Sequence, residues 1–338
     1  NDTVLVSLRA VNSTVAGGVG NDLITVSGSL VSSTLTGGSG NDTIQVSAGI
    51  EASQLIGNEG DDLLSVGGTA ISSSALGGQG NDTIVIGGNV IGGNVEGNSG
   101  ADSITIAGTA TTALVAGGQG NDTLVLGGVS GGQVGGQIGA DSLRVTGSVL
   151  NALVSMTSAT DPDNPDDGND AISVNGSVTN STVYAGVGND LISVDGAVIG
   201  GSIFGGSGND TVRVSSSLGG FVDLAAGNDS VLAATISGST LSAGSDNDTL
   251  SIATTAQNAS LVGGYGTDLI TVGELRSTTI YGGNPADGSS VLDGDDTVSI
   301  TGLATGSALY GNYGNDRLLV DGNATSTSVF GGEGNDLM

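Results

Sequence analysis

The chain of 338 residues sets 34 acidic side chains against 5 basic ones, has no His or Cys, and carries a formal charge of −29 at neutral pH. That balance excludes nucleic acid and anionic membrane as partners and demands a cation partner if the chain is to be compact. The basic residues are all arginine (Arg9, Arg144, Arg213, Arg276, Arg317), so with no Lys, His or Cys the usual acid–base and nucleophilic groups are missing and no enzyme is expected.

An Asp following a Gly-rich turn recurs along the whole chain, at Asp2, Asp22, Asp42, Asp62, Asp82, Asp102, Asp122, Asp141, Asp170, Asp190, Asp210, Asp229, Asp248, Asp268, Asp296, Asp316 and Asp336, most copies being 19 or 20 residues apart. Self-similarity at this period is the signature of a solenoid, in which each coil stacks on its neighbours because it cannot bury its apolar side chains alone. The expected fold is all-β, a right-handed parallel β-solenoid with about 20 residues per coil, read as one continuous domain over 1–338. Both ends fall in mid-motif, which leads to the expectation of a segment cut from a longer array.

Counting from each Asp as zero, the coil of Asp22 places Ile24, Val26, Leu30 and Leu35 at offsets 2, 4, 8 and 13, and the coil of Asp190 repeats this with Ile192, Val194, Val198 and Ile203. Alternation with small polar residues predicts one short strand just after the Asp and a second near offsets 11 to 14, hence two short strands per coil with one face inward. A frequent Gly at offset 6 (Gly28, Gly68, Gly88, Gly108) is expected to supply the positive φ of the turn between them. Dense Gly and the lack of a 3.6-residue period exclude a helical reading.

Two insertions, at 157–167 and 284–295, interrupt the rhythm inside the Gly-rich loop and contain all 3 prolines, and both are expected to be acidic surface loops. The first, Asp161 to Gly168, has alternating acids but lacks the ligand spacing of a helix–loop–helix calcium site, leaving a solvated loop and an extra metal site as alternatives. Single-residue deletions fall in the opposite half of the coil, in the copies beginning at Asp122, Asp210, Asp229 and Asp268. An aromatic file, Tyr184, Phe204, Tyr281, Tyr310 and Phe330, is expected to point outward, either as a lateral contact patch or packed against the next coil.

The loop itself, Gly37-Gly38-Ser39-Gly40-Asn41-Asp42 and its copies, supplies one carboxylate at a fixed position and carbonyls made accessible by Gly. Oxygen donors of this kind suit Ca²⁺ rather than a soft transition metal. The candidate ligands are the seventeen Asp side chains named above, with main-chain carbonyls of residues such as Gly18, Gly20, Gly38, Gly40, Gly78, Gly80, Gly118, Gly120, Gly206 and Gly208. Ala101, Ala140, Thr267 and Asp246 are departures from the loop pattern.

Gly77-Gly78-Gln79-Gly80-Asn81-Asp82-Thr83-Ile84-Val85 and its copies resemble the glycine- and aspartate-rich nonapeptides of the RTX family, calcium-binding β-rolls of proteins exported by bacterial type I secretion. The common RTX coil has calcium loops on both sides, whereas each coil here has one, so the resemblance implies several calcium ions along one edge only, shared between successive loops. One-sided coils are similar to the ice-binding region of bacterial RTX adhesins, but the loop Thr of those repeats is replaced here by Val19, Ser39, Glu59, Gln79, Ser99, Gln119, Val187 and Tyr265, so no ordered Thr ladder is expected. The resemblance, which extends to cyanobacterial surface-fibril proteins, implies an extracellular or cell-surface structural protein secreted by a bacterium, part of a surface layer, fibril or adhesin stalk. Its implied partners are calcium and other copies of itself or surface polysaccharide, without direct membrane insertion. The alternatives are a secretion and folding module of a larger secreted enzyme, or a ligand-binding adhesin, ice-binding included.

Overall fold

Alternating apolar residues do form the inward face of a parallel β-solenoid. The computed structural model describes residues 1–157, 164, 166–284 and 293–338. These divide into two compact units, Asn1–Asn175 and Gly176–Met338. Most of the two insertions, all three prolines among them, lies outside the described residues. No helix occurs among the described residues.

In the first unit a typical coil contains strands Leu23–Val26, Leu30–Val31 and Thr34–Ser39. Each pairs in parallel with its copy in the next coil, in registers such as Ile24↔Ile44, Leu30↔Ile50 and Leu35↔Leu55. The second unit repeats this with Leu191–Val194 and Val198–Ser207, and with registers such as Ile192↔Val212 and Ile203↔Val222. Beside the two expected strands per coil, then, runs a third, two-residue segment at offset 8, which in several coils merges with the strand after it, as in Ala70–Gln79. Backbone groups of each coil are satisfied by its neighbours, so the coil cannot form in isolation.

The core is a set of stacked aliphatic rows. Offsets 2, 4, 8 and 13 are buried in both units, with Ile44, Val46 and Leu55 fully inaccessible in the first and Val194 and Ile203 in the second. No aromatic ring enters the core. Each unit gains stability coil by coil from these rows, at about 25 cal/mol per Å² of apolar surface removed from water.

The turn after the first strand corrects the sequence reading. Gly28, Gly68, Gly88 and Gly108 do not adopt positive φ. The left-handed residue lies at offset 10 instead, at Ser32 (φ 49), Ala52 (φ 47), Ser72 (φ 46) and, in the second unit, Asn258 (φ 51). Offset 6 is Gly for a different reason: a Cβ on Gly28 would stand 2.7 Å from the Leu8 carbonyl oxygen of the preceding coil. Next to the left-handed residue a buried Ser row ties coils together. Ser33 Oγ accepts the Ser13 N–H at 2.9 Å, Ser53 Oγ accepts the Ser33 N–H at 3.1 Å, and each hydroxyl donates to the carbonyl two residues earlier.

The shortened coils show register shifts in this half, between Ile106 and Thr109, Ile199 and Ser202, Val214 and Ser217, and Ile252 and Thr255. The Gly-rich turn shows no such slippage. The aromatic side chains form two stacks in the second unit. Tyr184 and Phe204 lie face to face at 4.6 Å with Phe221 tilted against them, and Tyr281, Tyr310 and Phe330 stack at 5.0 and 4.9 Å. Asp223, Ser242 and Val262 hold the corresponding position between the stacks. The rings thus stack from coil to coil, as the packing alternative has it, and Tyr184 (39%), Phe221 (38%) and Phe330 (50%) are at the same time exposed, as a lateral patch would need.

Candidate metal centre

Each uninterrupted loop enters from the Leu35-type core position, turns through left-handed residues four and two places before the Asp, and leaves along the next strand; in the loops that close the two insertions, Gly168 and Gly294 are not left-handed. Glycine fills most of these left-handed positions, as at Gly38 (φ 130) and Gly40 (φ 115). Asn58 (φ 85), Asn98 (φ 81) and Gln137 (φ 89) take the first, and Asp246 (φ 79) takes the second. The loop of Asp248, which lacks its Gly, therefore keeps the same backbone course.

The ladder Asp side chains point inward at the corner where the loop meets the strand. In the first unit Asp42 is 2% exposed, Asp82 1% and Asp141 2%; in the second Asp210 is 1% and Asp296 1%. Asp2, at one end of the ladder, is exposed. One carboxylate oxygen is used for stacking: Asp42 Oδ1 accepts the Asp22 N–H at 2.7 Å, Asp62 Oδ1 accepts the Asp42 N–H at 2.7 Å, and the pattern continues to Asp170. In the second unit it runs from Asp190 to Asp336. Neither insertion breaks it, since Asp141 still reaches Asp170 and Asp268 still reaches Asp296.

The residue before most of these Asp clamps in the opposite sense. Asn21 Oδ1 accepts the Asn41 N–H at 3.1 Å, Asn41 Oδ1 accepts that of Asp61, and Asn209 Oδ1 accepts that of Asn228 at 2.7 Å. Where the Asn is present, a junction holds an Asp reaching back and an Asn reaching forward; Asp61 and Asp295 reach forward in its place, and Ala101 and Ala140 offer no side-chain acceptor. The Asn file retained from the ice-binding resemblance serves to fasten coil to coil.

The other carboxylate oxygen has no such partner. Oδ2 of Asp22, Asp42, Asp62, Asp82, Asp102, Asp122, Asp141, Asp210, Asp229, Asp248, Asp268, Asp296 and Asp316 is inaccessible to solvent and makes no hydrogen bond. In most loops it faces the Gly five places earlier, and for Asp296 it faces Gly282: a Cβ on Gly37 would stand 2.8 Å from Asp42 Cβ, with Oδ2 closer still. The same space at Gly17 is bordered by the carbonyl oxygen of Gly37, one coil on. The carbonyls named from the sequence lie one step further along the turn, where Gly18 O faces Gly38 and Gly20 O faces Gly40. The carbonyl five places before the Asp, marked by the double Gly of the motif, is a candidate donor beside those named from the sequence. Ala185, Leu224 and Ala243 occupy this position before Asp190, Asp229 and Asp248, and so are departures of a second kind.

Burial without a partner moves the carboxyl groups upward. Desolvation, partly offset by the backbone N–H and added to by the neighbouring carboxylates, raises Asp82, Asp122, Asp141 and Asp210 to about 7 and Asp62 to about 6. Asp296 is raised to about 9, by desolvation first and then by Asp268, Asp293 and Asp316. No arginine among the described residues forms an ion pair with a ladder Asp; Arg276 meets the exposed Glu274 at 3.0 Å. A row of buried anionic oxygens with no donor is a costly arrangement unless a cation sits against it. No three acidic, His or Cys side chains converge among the described residues. A cation here would draw on one carboxylate per loop and on main-chain carbonyls, a hard all-oxygen donor set that fits Ca²⁺.

No protein-family model matches the chain, and no curated protein sequence does. Among solved structures it is similar to a hyperactive, Ca²⁺-dependent, β-helical antifreeze protein from an Antarctic bacterium, at 20% identity and a TM-score of 0.51, over 76% of this chain and 78% of that one. At that identity the likeness establishes the fold, a parallel β-solenoid.

Proposed function

We propose that the chain is a calcium-stabilised, non-enzymatic structural array, working outside the cell as part of a bacterial surface layer, fibril or adhesin stalk. The observation that carries this reading is the row of buried Oδ2 atoms without donors beside a glycine cradle, repeated in each unit. Calcium would be held by the ladder Asp side chains and loop carbonyls, and would act as a folding switch: low free calcium leaves the acidic row repulsive, and millimolar calcium closes it. The Ca²⁺ dependence of the antifreeze neighbour supports the same choice of ion.

Circular dichroism of the metal-free chain during a calcium titration tests this. The expected result is a strand spectrum that grows with calcium at neutral pH and is lost on chelation; a spectrum indifferent to both would overturn the reading. Ice binding is the second reading, favoured by that neighbour, and thermal hysteresis of the calcium-loaded chain decides it. The exposed loop file here mixes Val19, Ser39, Glu59 and Gln79 in register, which supports the structural role over an ice-ordering surface.

A further inference from the structure

The loop that closes the second insertion contains an additional inward acid. Other loops also carry acids beside the ladder, but Glu59, Asp61 and Asp246 are exposed. Asp293, three residues before Asp296, is half-buried instead of solvated as a surface insertion would be. Its Oδ2 accepts the Tyr313 N–H of the following coil at 3.2 Å, and its Oδ1 is inaccessible to solvent and makes no hydrogen bond. The two carboxylates lie against consecutive residues of one loop wall. A Cβ on Gly282 would stand 2.6 Å from Asp296 Oδ2, and one on Gly283 would overlap the Asp293 carboxylate. Asp296 is 1% exposed with Oδ2 unpartnered, so two orphaned oxygens from two side chains share this wall. The first insertion ends in the same way, Asp167-Gly168-Asn169-Asp170 beside Asp293-Gly294-Asp295-Asp296, while no uninterrupted loop has Asp at that position.

We propose that Asp293 is a second side-chain ligand at this coil, which holds its divalent cation between two carboxylates of one loop and fills at lower free calcium than coils offering the ladder Asp alone. The inference rests on the calcium reading of the ladder. Affinity of oxygen-ligand calcium sites rises with the number of charged ligands, and spans several decades on that account. The insertion would then act as the point from which the array loads.

Terbium(III) replaces calcium in such donor sets and reports through nearby tyrosine. Tyr313 donates its N–H to Asp293, and Tyr265 precedes the Gly266 that pairs with Asp293, so tyrosine-sensitised emission reads this loop. Titrating the metal-free full chain with terbium is expected to give a leading phase of emission. Asp293→Asn should move its midpoint up by about tenfold or more. Gly283→Ala, which displaces Asp293 while keeping every carboxylate, should do the same, and Asp321→Asn, which removes one exposed charge elsewhere, should leave it in place. Far-UV circular dichroism at saturating calcium checks that each variant is folded. A leading phase unchanged in both Asp293→Asn and Gly283→Ala, with calcium-dependent folding intact, overturns the role of Asp293 alone. A wild-type chain that neither binds terbium nor responds to calcium overturns the ladder reading as well.

Discussion

A single carboxylate in this fold has two oxygens with opposite needs. Asp122 Oδ1 is satisfied by the Asp102 N–H at 2.7 Å, and Oδ2 is buried with nothing to meet it. Asp122→Asn keeps the acceptor and removes the charge, so its effect should change sign with the metal. In chelator at neutral pH the variant should keep more of the strand spectrum than the parent, and in calcium it should melt lower by about 1–3 kcal/mol; circular dichroism in chelator and thermal melts in calcium check the two. Gly37→Ala puts a methyl group against the Asp42 carboxylate and should weaken the calcium response while leaving the metal-free spectrum nearly unchanged. That is checked by the calcium midpoint of circular dichroism. At this scale the Asp positions were readable from their period alone. That Oδ1 would be spent on a backbone N–H was not, because the direction of a side chain at a coil corner depends on the stacked neighbour.

Strands and turns were legible to different degrees. Offsets 2, 4, 8 and 13 announce themselves because an inward residue must be apolar, and Leu55 and Ile203 are buried as that pattern requires. The second turn hid its left-handed residue, since Ser32, Ala52 and Ser72 adopt positive φ without being Gly. The Gly that stood out, at offset 6, answers to the crowding of Leu8 against Gly28. The Ser row was likewise invisible, because Ser is common in exposed turns and only stacking makes Ser53 a buried link between Ser33 and Ser73. Two substitutions separate these contributions. Leu55→Ala should cost about 2–5 kcal/mol through lost burial and a residual cavity. Ser53→Ala should cost about 1 kcal/mol through one unsatisfied amide. Calcium-loaded chemical denaturation measures both.

For the molecule as a whole, pH and calcium act on the same groups in opposite directions. Without metal, folded carboxyl groups near 7, and Asp296 near 9, hold protons that the unfolded chain releases near its ordinary value of 3.8. This contribution is therefore fully present below about pH 4 and is lost as pH rises through about 7. The metal-free chain should gain at about pH 4.5 strand structure that it lacks at about pH 7.5, and the calcium-loaded chain should melt lower at the acid pH, because protons then compete with the ion. Circular dichroism without calcium and melts with it, at the two pH values, check the crossing; parallel pH profiles would contradict it. The net charge of −29 announced a cation at this scale but not how it couples to protons, which follows from burial of the acids inside the corner.

The opposed clamps have a consequence for how such a chain can change over time. Because an Asn or Asp reaches forward and the ladder Asp reaches back at most junctions, the upper surface of one coil matches the lower surface of any other that carries the pair. Removing or duplicating a whole repeat leaves the same two complementary surfaces in contact, and a residue lost from the second turn only shifts the register locally. Array length is thus nearly free to vary in steps of one repeat, and a reach of chosen extent can be obtained by copying the unit, with no new contact having to be invented.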